Sequence, residues 1–404
     1  MDLDKIKISI IGLGYVGCPL FRLFSKHFEC VGLDMNPDTI QRIIDKEFDQ
    51  GNPSFMDNVY LTTNYADIAD CNVHIITVPT PIDHDKNPDI SMLRSACSLL
   101  APYIQEGSIV IFESTVAPGT TDEVCIPILE EKSGKKVNID FGVGYSPERV
   151  NVGDENHSTS NTNKIISASS EQTLDVIFRL YSSVIDAPLV KASSIKVAEA
   201  AKMYENVQRD VLIALSNEYS KYCHAEGIDI HEVTSCASTK WNFAKAYPGL
   251  VGGHCIGVDP YYVIDRAKSK NVQLSLINSA RDINENTVVH VAKRFVNCVK
   301  KEIGETQTRT LLVLGFSYKK NIGDIRNTKI EKFLQLVSKE FADVDCIDPL
   351  VDKNLIEHEY NMLILTSYQQ LKPHYDVCIK MLNHFCFDTF EHNIGHFYSL
   401  QQFL

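Results

Sequence analysis

The sequence lacks three features that would each place it in a different class of protein. No two of its twelve cysteines form a CxxC pair, so neither a zinc knuckle nor a thioredoxin-like site is expected. No apolar run approaches the roughly 18 residues of a membrane span, and the charged start, Met1 to Ile6, does not resemble a secretory signal peptide. We therefore expect a reduced, cytoplasmic protein with no membrane partner and no metal, in which eleven of the twelve thiols are inert.

Positive charge is also scarce. The chain has 39 lysines and arginines against 52 aspartates and glutamates, a net charge of -13. Broad nucleic-acid binding requires a basic face, so this balance argues against it. A phosphorylated small ligand remains compatible, because a few local donors can hold a diphosphate. The length of 404 residues predicts two or three domains.

The N-terminal part alternates short apolar runs with helical patterns, and a first helix is predicted from Pro19 to Lys26. Strand, helix and strand in repetition predict an α/β fold with a Rossmann-type, doubly wound parallel sheet. The predicted strands are Ile6–Ile11, Cys30–Leu33, Val73–Val78, Ser108–Phe112 and Phe141–Val143.

The pattern changes near Ser193. From Ser194 to about His224 the chain contains neither Gly nor Pro, which predicts one long helix capped by Ser193 or Ser194. A second α/β pattern begins near Thr308. Its predicted strands are Thr310–Leu314, Val344–Ile347 and Val377–Lys380. The sequence thus predicts three domains: an α/β domain over residues 1–192, a helical domain over 193–303 and a smaller Rossmann-like α/β domain over 304–404.

The first predicted strand runs into a GxGxxG motif at Gly12, Gly14 and Gly17. The first glycine permits a tight turn, the second lets a pyrophosphate approach the backbone, and the third lets helix and strand pack closely. Asp34 ends the second strand at the distance expected for an acid that binds both ribose hydroxyls. Because a carboxylate repels a 2′-phosphate, we predict NAD rather than NADP as cofactor.

Two further loops come after predicted strands, at the edge of the sheet where ligands bind. One contains Pro79 and Thr80, and the other runs from Glu113 to Thr121. Prolines and hydroxyls in these positions suit a rigid cleft lined with donors. Ordinary turn chemistry explains the same residues, so the two interpretations stay open at this point.

The stretch from Pro248 to Pro260 contains four glycines around Cys255. A cysteine in such a loop is unlike a core residue, and His254 and Asp259 could transfer protons beside it. We therefore predict a nucleophilic thiol at Cys255. Structural hydrogen bonding is the competing interpretation for His254 and Asp259, and for His254 it is the favoured one.

On the long helix, Lys202 and Asn206 are four residues apart and share a face. On an exposed helix Lys202 would be an ordinary solvated lysine. The pair makes chemical sense if both donors converge on a developing oxyanion.

Taken together, these residues resemble the UDP-glucose/GDP-mannose dehydrogenase family over nearly the whole chain. The motifs that carry the resemblance occur in this order along the chain: GLGYVG from Gly12, STVAPGTT from Ser114, SPER from Ser146, KMYEN from Lys202, GGHCIGVDP from Gly252 and GFSYKKNIGDIRNTK from Gly315. The resemblance implies an NAD-binding domain, a central domain that carries the dimer interface, and a C-terminal domain that binds the UDP-sugar.

The resemblance also implies roles for individual residues. It makes Cys255 the nucleophile, with Lys202, Asn206, Asp259, Glu148 and Thr115 as further catalytic residues. The implied cofactor contacts are Gly12, Gly14, Tyr15, Val16, Gly17, Asp34, Pro79, Thr80, Ser114, Thr115 and Arg326. The implied substrate contacts are Glu148, Arg149, Lys202, Asn206, Gly252, Tyr318 and Lys319.

Within the family, SPER at Ser146 and TKWNF at Thr239 are similar to the branch that acts on UDP-N-acetylhexosamines of the GlcNAc or GalNAc type. The implied reaction is a four-electron oxidation of C6 to a carboxylate through a thioester on Cys255, in the synthesis of a surface polysaccharide precursor. Three alternatives remain: UDP-glucose as substrate, a one-step hydroxyacid-type dehydrogenase, and an inactive NAD-binding scaffold. The Cys255 loop argues against a one-step enzyme, since a single oxidation of an alcohol needs no thiol. The joint presence of the catalytic residues argues against an inactive scaffold.

Overall fold

The structure is a computed structural model that describes residues 2–48, 59–149 and 158–404. Its contacts divide the chain into two compact units. The first comprises Met1–Glu205 and Tyr261–Asn271, and the second comprises Asn206–Pro260 and Val272–Leu404. Among the helices of the described ranges, none combines the length and the apolar character that a membrane span requires. The three-domain division remains a prediction.

The first unit is built on an eight-stranded sheet with the order β3-β2-β1-β4-β5-β6-β7-β8. Every neighbouring pair is parallel except β6 and β7, which are antiparallel. The prediction of a doubly wound sheet is confirmed, with this one reversal added. The strands are β1 Lys7–Ile11, β2 Glu29–Leu33, β3 Val59–Thr62, β4 Val73–Ile76, β5 Ser108–Phe112, β6 Phe141–Tyr145, β7 Lys164–Ala168 and β8 Leu189–Lys191.

Both faces of this sheet are covered, as the continuous apolar runs predict. Ile8, Ile10 and Ile111 belong to one buried cluster. Ile11 and Val110 belong to another. Successive side chains of a strand point to opposite faces, so the alternation along β1 and β5 supplies both cores. The helices of this unit are α1 Gly17–Phe24, α2 Pro37–Phe48, α3 Ser91–Leu100, α4 Ile126–Ser133, preceded by a π-helical turn, Thr121–Cys125, and α5 Glu171–Ser182.

The long helix α6 spans Ile195–Glu226. The hydroxyl of Ser194 accepts a hydrogen bond from the amide of Val197 at 3.2 Å, which makes Ser194 the capping residue. The prediction for this helix is therefore correct in its start, its cap and, within two residues, its end. The next three helices along the chain are α7 Ile230–Ala237, α8 Asp259–Ser269 and α9 Ser275–Ile303.

The second unit contains a parallel four-stranded sheet with the order β10-β9-β11-β12. Strands β9 Thr310–Leu314, β10 Asp343–Ile347 and β11 Tyr375–Lys380 match the prediction, while β12 Ile394–Ser399 was not predicted. The interior strands β9 and β11 are mostly buried, and their apolar side chains pack on α9, α10 Ile330–Val337 and α11 Lys353–Tyr360.

Candidate active site

The glycine motif forms a tight turn between β1 and α1. Gly12 has φ +95°, and its amide donates to the carbonyl of Leu33 at 2.8 Å. A Cβ on Gly17 would lie 1.8 Å from the Gly12 carbonyl oxygen, so only glycine fits there. A Cβ on Gly14 would meet nothing within 4 Å. The turn therefore leaves open space at the glycine that a pyrophosphate would approach, in front of the N-terminus of α1.

Asp34 lies directly after β2 and is half-buried. Its carboxylate accepts hydrogen bonds from the amide of Leu13 at 2.8 Å and the amide of Asn36 at 2.9 Å. The acid is thereby fixed beside the glycine turn, where a ribose would lie next to the pyrophosphate. Within that turn Tyr15 is exposed and Val16 is half-buried. These residues fit an NAD molecule.

The two loops after β4 and β5 are joined by hydroxyl groups. Ser114 Oγ donates to the carbonyl of Val78 at 2.7 Å, and Thr80 Oγ1 donates to the carbonyl of Thr115 at 2.6 Å. Pro79 lies between these two bonds along the chain. Both interpretations from the sequence therefore apply. The hydroxyls stabilise the turns, and they also join the two loops into one rigid edge at the carboxyl ends of the strands.

Glu199 is a buried residue of α6 to which sequence reasoning assigned no role. Its carboxylate accepts hydrogen bonds from the amides of Gly119 at 2.5 Å and Thr121 at 2.9 Å. Burial raises the pKa of Glu199 to about 7, although the two amide bonds act in the opposite direction. This contact ties the loop that carries Ser114 and Thr115 to the helix that carries Lys202.

Lys202 is only 7% exposed, so the interpretation of a solvated lysine does not apply. Asn206 lies one turn further along α6 and is also buried. Its Nδ2 donates to Oδ2 of Asp259 at 2.6 Å. Asp259 therefore fixes the Asn206 amide and occupies one of its two hydrogens, which leaves the other for a ligand.

Cys255 is half-buried, unlike most of the other thiols in the described part of the chain. Its Sγ lies 3.0 Å from Nδ1 of His254. Its carbonyl accepts hydrogen bonds from the amides of Val258 and Asp259, at 3.0 and 2.9 Å, which closes the turn into α8. His254 thus contacts the thiol directly, and its part in proton transfer stays a prediction.

The glycines of this loop permit a close approach to Tyr318. A Cβ on Gly252 would lie 2.8 Å from the Tyr318 Cβ, and one on Gly253 would lie 2.7 Å from its ring. Gly253, at φ +79°, also donates to the carbonyl of Arg326 at 3.0 Å and accepts from Asn327 Nδ2 at 2.9 Å. The cysteine loop is therefore built against the segment 315–329.

That segment is in turn held by a buried acid and a buried histidine, which sequence reasoning also missed. Oδ2 of Asp348 accepts hydrogen bonds from the amides of Phe316 and Ser317, at 2.9 and 3.0 Å, and lies 3.2 Å from Nε2 of His384. Nδ1 of His384 accepts from the amide of Asn321 at 2.6 Å. The loop that carries Lys319 is thus fixed at both ends.

Three other predicted site residues are held in polar networks. Arg326 makes a bidentate ion pair with Asp324. Arg149 pairs with Glu205 at 2.9 Å, and the Glu148 carboxylate accepts from the Arg149 amide at 2.8 Å. The direct contact of Arg326 with cofactor stays a prediction, as do the substrate contacts of Arg149 and Lys319.

The described geometry defines the class of protein. A GxGxxG turn with an acid after the second strand is typical of a dinucleotide site, and a half-buried thiol on a glycine loop beside a histidine is suited to nucleophilic attack. The first unit contains the glycine turn, Asp34, Glu148 and Lys202. The second contains Asn206, Cys255, Asp259 and the segment 315–329. The dinucleotide site is typical of a dehydrogenase, and the catalytic roles of the individual residues stay predictions.

The chain belongs to the UDP-glucose/GDP-mannose dehydrogenase family. The family's NAD binding domain matches residues 6–185, its central domain residues 196–286 and its UDP binding domain residues 312–398. The protein is accordingly an NAD-dependent nucleotide-sugar dehydrogenase.

Three relatives illustrate the likeness. The chain is 41% identical to the UDP-N-acetyl-D-glucosamine 6-dehydrogenase of Salmonella typhi, over 95% of this chain and 91% of that protein. It is also 41% identical to the enzyme of that name from Pseudomonas aeruginosa, over 89% and 86% of the two chains. The solved structure of the UDP-D-ManNAc dehydrogenase from Pyrococcus horikoshii matches with a TM-score of 0.86 at 26% identity, over 98% of this chain and 99% of that chain.

Proposed function

We propose that this enzyme oxidises C6 of a UDP-N-acetylhexosamine of the GlcNAc or GalNAc type to the uronate, through a thioester on Cys255. The observation that carries the proposal is the Cys255 thiol, half-buried on a glycine loop with Sγ 3.0 Å from the His254 ring. A thiol so placed is needed only if the aldehyde is carried on to the acid. The names of the two relatives at 41% identity support the choice of sugar.

Lys202 and Asn206 would hold the reacting oxygen. NAD, bound at the glycine turn, supplies the hydride acceptor for each of the two oxidations. As the first hydride leaves C6 and the hydroxyl proton passes to water, negative charge develops on the oxygen, and these two donors stabilise it. Lys202 is 7% exposed and Asn206 4% exposed, so water screens their interaction with that oxygen only weakly.

Cys255 would then attack the aldehyde. A carbon–sulfur bond forms, the thiol proton passes to the neighbouring His254, and the oxygen becomes the thiohemiacetal alkoxide held by Lys202 and Asn206. Loss of the second hydride from this carbon restores the carbonyl and leaves the thioester.

Water would complete the reaction. Glu148 removes a proton from the attacking water, Thr115 helps to hold that water, and the carbon–sulfur bond breaks to return the thiol. The Glu148 side chain is largely buried, at 14% exposure, and Nζ of Lys164 lies 4.0 Å from it. In sum, one alcohol, two NAD and one water give one carboxylate, two NADH and three protons.

Initial rates with purified UDP-GlcNAc, UDP-GalNAc, UDP-ManNAc and UDP-glucose test the choice of sugar. We expect the highest kcat/KM with UDP-GlcNAc or UDP-GalNAc. A higher kcat/KM for UDP-glucose than for both would overturn the proposal and assign the enzyme to the glucose branch. A preference for UDP-ManNAc would correct the configuration at C2 alone.

We also infer that the enzyme is a homodimer whose interface includes α6. Tyr204, Leu215, Tyr219 and Tyr222 are each 46–72% exposed, and their spacings of 11, 4 and 3 residues place them on one stripe of the helix. An exposed apolar stripe is typical of an interface. Leu215→Arg should yield monomers in analytical ultracentrifugation, whereas Arg209→Glu, at an exposed residue about 120° away around the same helix, should not. A wild type that sediments as a monomer would contradict the inference.

A cytoplasmic location and a role in making a surface polysaccharide precursor complete the proposal. The twelve unpaired thiols fit a reducing compartment, and a UDP-uronate is an activated sugar suited to transfer into a polymer. Deleting the gene and analysing the sugar composition of the surface polysaccharide tests that role. We expect the uronate to be lost from the polysaccharide.

A further inference from the structure

A buried ion pair lies beneath Glu148, among residues to which the proposed mechanism gives no role. Glu113 comes directly after β5 and Lys164 begins β7. Nζ of Lys164 lies 2.7 Å from Oε2 of Glu113, and their side chains are 5% and 0% exposed. The hydroxyl of Tyr181, on α5, donates to the other carboxylate oxygen of Glu113. Acids and lysines are rarely buried unless they are paired. Here the two partners come from different elements of the fold.

The same lysine also faces Glu148. Its Nζ lies 4.0 Å from Oε2 of Glu148 and 3.4 Å from the carbonyl of Pro147. One buried cation is therefore shared by two acids, one at bonding distance and one slightly further away. The titratable groups that act on Glu113 are Lys164, Glu148 and Tyr181.

Stability alone is a weak reason for such a pair. Replacing a buried ion pair by apolar groups is often neutral or stabilising, because desolvation offsets the attraction between the charges. Apart from Ser108 and Ser167, strands β5 and β7 are apolar, so the position could hold a hydrophobic contact. An apolar pair, however, could not control the charge on a neighbouring carboxylate.

We propose that Lys164 is a positioning residue that sets the charge of Glu148, and that Glu113 holds this cation in place. When Glu113 is ionised it neutralises Lys164, and Glu148 then experiences little of the positive charge. When Glu113 is neutral, the full charge of Lys164 favours ionised Glu148. The inference rests on the proposed function, since it needs Glu148 to act as the base for thioester hydrolysis.

The electrostatics of Glu113 suit this role. Burial raises the pKa of Glu113 to about 7, against the opposing effect of Lys164. The acid therefore changes charge in the range where the enzyme works, whereas an exposed glutamate would stay ionised.

The two charges can be removed separately, and only removal of the cation should shift the acidic limb of the pH dependence. Glu113→Gln keeps the acid neutral, as it already is in the wild type below about pH 7, so Lys164, 4.0 Å from Glu148, should hold the limb in place. Lys164→Met removes the cation, so Glu148 should ionise only at higher pH. In Glu113→Gln/Lys164→Met the cation is also gone, so its limb should likewise lie at higher pH than that of the wild type.

The measurement is the rate at which the sugar adduct on Cys255 disappears from acid-quenched samples, monitored by intact mass from pH 5 to 10. We expect the acidic limb of Glu113→Gln to match that of the wild type, and the limbs of Lys164→Met and of the double variant to lie about one pH unit higher. Glu340→Gln is the matched control, because Lys300 and Glu340 form a pair of the same types at the same 2.7 Å but on the surface. It should leave the limb in place.

Folding is monitored by thermal unfolding of every variant. Lys164→Met alone leaves a buried acid without its cation and is the variant most prone to unfold. The comparison of Glu113→Gln with the double variant still decides the question in that event, because the two differ only in the charge of Lys164.

The outcomes separate this inference from the proposed function. If Glu148→Gln hydrolyses the adduct at the wild-type rate, the role of Glu148 is wrong and the inference falls with it. If Glu148→Gln accumulates the adduct while Glu113→Gln and the double variant keep the wild-type limb, the proposed function stands and the inference alone is overturned. Lower rates without a shift would identify a structural pair.

Discussion

The two parallel sheets begin with the same local design. Gly12 after β1 has φ +95°, and Gly315 after β9 has φ +97°. Each glycine amide donates at 2.8 Å to the last residue of the second strand, Leu33 in one sheet and Ile347 in the other. In both sheets an acid comes after that strand and accepts from the amide just after the glycine, at 2.8 Å for Asp34 and 2.9 Å for Asp348.

The residues after the first glycine differ between the two turns. In the first turn, Gly14 leaves open space for a ligand and Gly17 lets the helix pack closely on the strand. In the second turn, the buried side chains of Phe316 and Ser317 fill the space after the glycine. Asp34 is half-buried, while Asp348 is completely buried against His384. The shared turn is therefore a way of starting a parallel sheet. Dinucleotide binding requires, in addition, the later glycines and an acid that a ligand can reach.

The largest effect should come from Gly17→Ala, which breaks the feature that distinguishes the first turn. Its Cβ would lie 1.8 Å from the carbonyl oxygen of Gly12, so the backbone must move. We expect a loss of more than about 3 kcal/mol in the free energy of unfolding, as for other severe overpacking, and no detectable NAD binding. Urea unfolding and calorimetry with NAD measure both.

Gly14→Ala is the matched control for that substitution. Its Cβ meets nothing within 4 Å, so the variant should fold as the wild type does and lose affinity for NAD only. If Gly17→Ala bound NAD normally, the glycine turn would not be the cofactor site.

The next effect should come from Asp348→Asn in the second turn. The charged carboxylate accepts two amides and lies against His384, so its loss should cost about 2–3 kcal/mol in the free energy of unfolding. Because the adjoining loop carries Lys319, KM for the UDP-sugar should rise while KM for NAD stays constant. Asp388→Asn, at an exposed acid nearby, should change neither constant.

The pH dependence of the wild type provides a second test of Asp348. Burial would raise the pKa of Asp348, but the bonds from His384 and the two amides outweigh it and hold the pKa below its ordinary value. A depressed carboxyl pKa stabilises the fold above the unfolded pKa of about 3.9, and this contribution is lost as pH falls through the folded pKa. Asp348→Asn should show a shallower loss of stability below about pH 4. An unchanged slope would contradict this account of the buried acid.

The smallest effect should come from Asp34→Asn, which concerns specificity rather than folding. Removing the carboxylate removes its repulsion of a 2′-phosphate, so the ratio of kcat/KM for NAD over NADP should fall about tenfold, a change of about 1.4 kcal/mol. Thermal stability should change little, in contrast to Asp348→Asn. Asp38→Asn, at an exposed residue of α2, is the control. A wild type that used NADP as well as NAD would refute the role of Asp34.

Local patterns predicted the parts of the fold whose causes are local. The run without Gly or Pro and its capping serine predicted α6, and the apolar runs predicted β5 and β9 to the residue. Strands β3, β7, β8 and β12 were missed. Strands β3 and β8 are short and β12 is largely exposed, so they carry little apolar signal. Strand β7 is buried, but it begins with a lysine and has only two consecutive strongly apolar residues.

The polar pairs that organise the site could not be predicted, because their members meet only through the sheet. Glu113 and Lys164 are 51 residues apart, and Asp348 and His384 are 36 apart. The burial of Lys202 has the same origin, since its helix alone leaves it looking solvated. The sequence did contain one sign of the first pair, because Glu113 comes directly after the apolar residues that end β5.

The number of NADH released per uronate, measured together with the mass of the enzyme, tests the central claim most directly. We expect two NADH per uronate for the wild type and a sugar adduct on Cys255 in quenched turnover. Cys255→Ser and Cys255→Ala should bind NAD and UDP-sugar yet lose uronate formation by more than the roughly 10²–10³-fold effect of removing one oxyanion donor. A ratio of one, or near wild-type uronate formation by Cys255→Ala, would contradict the covalent mechanism and return the chain to the one-step dehydrogenases.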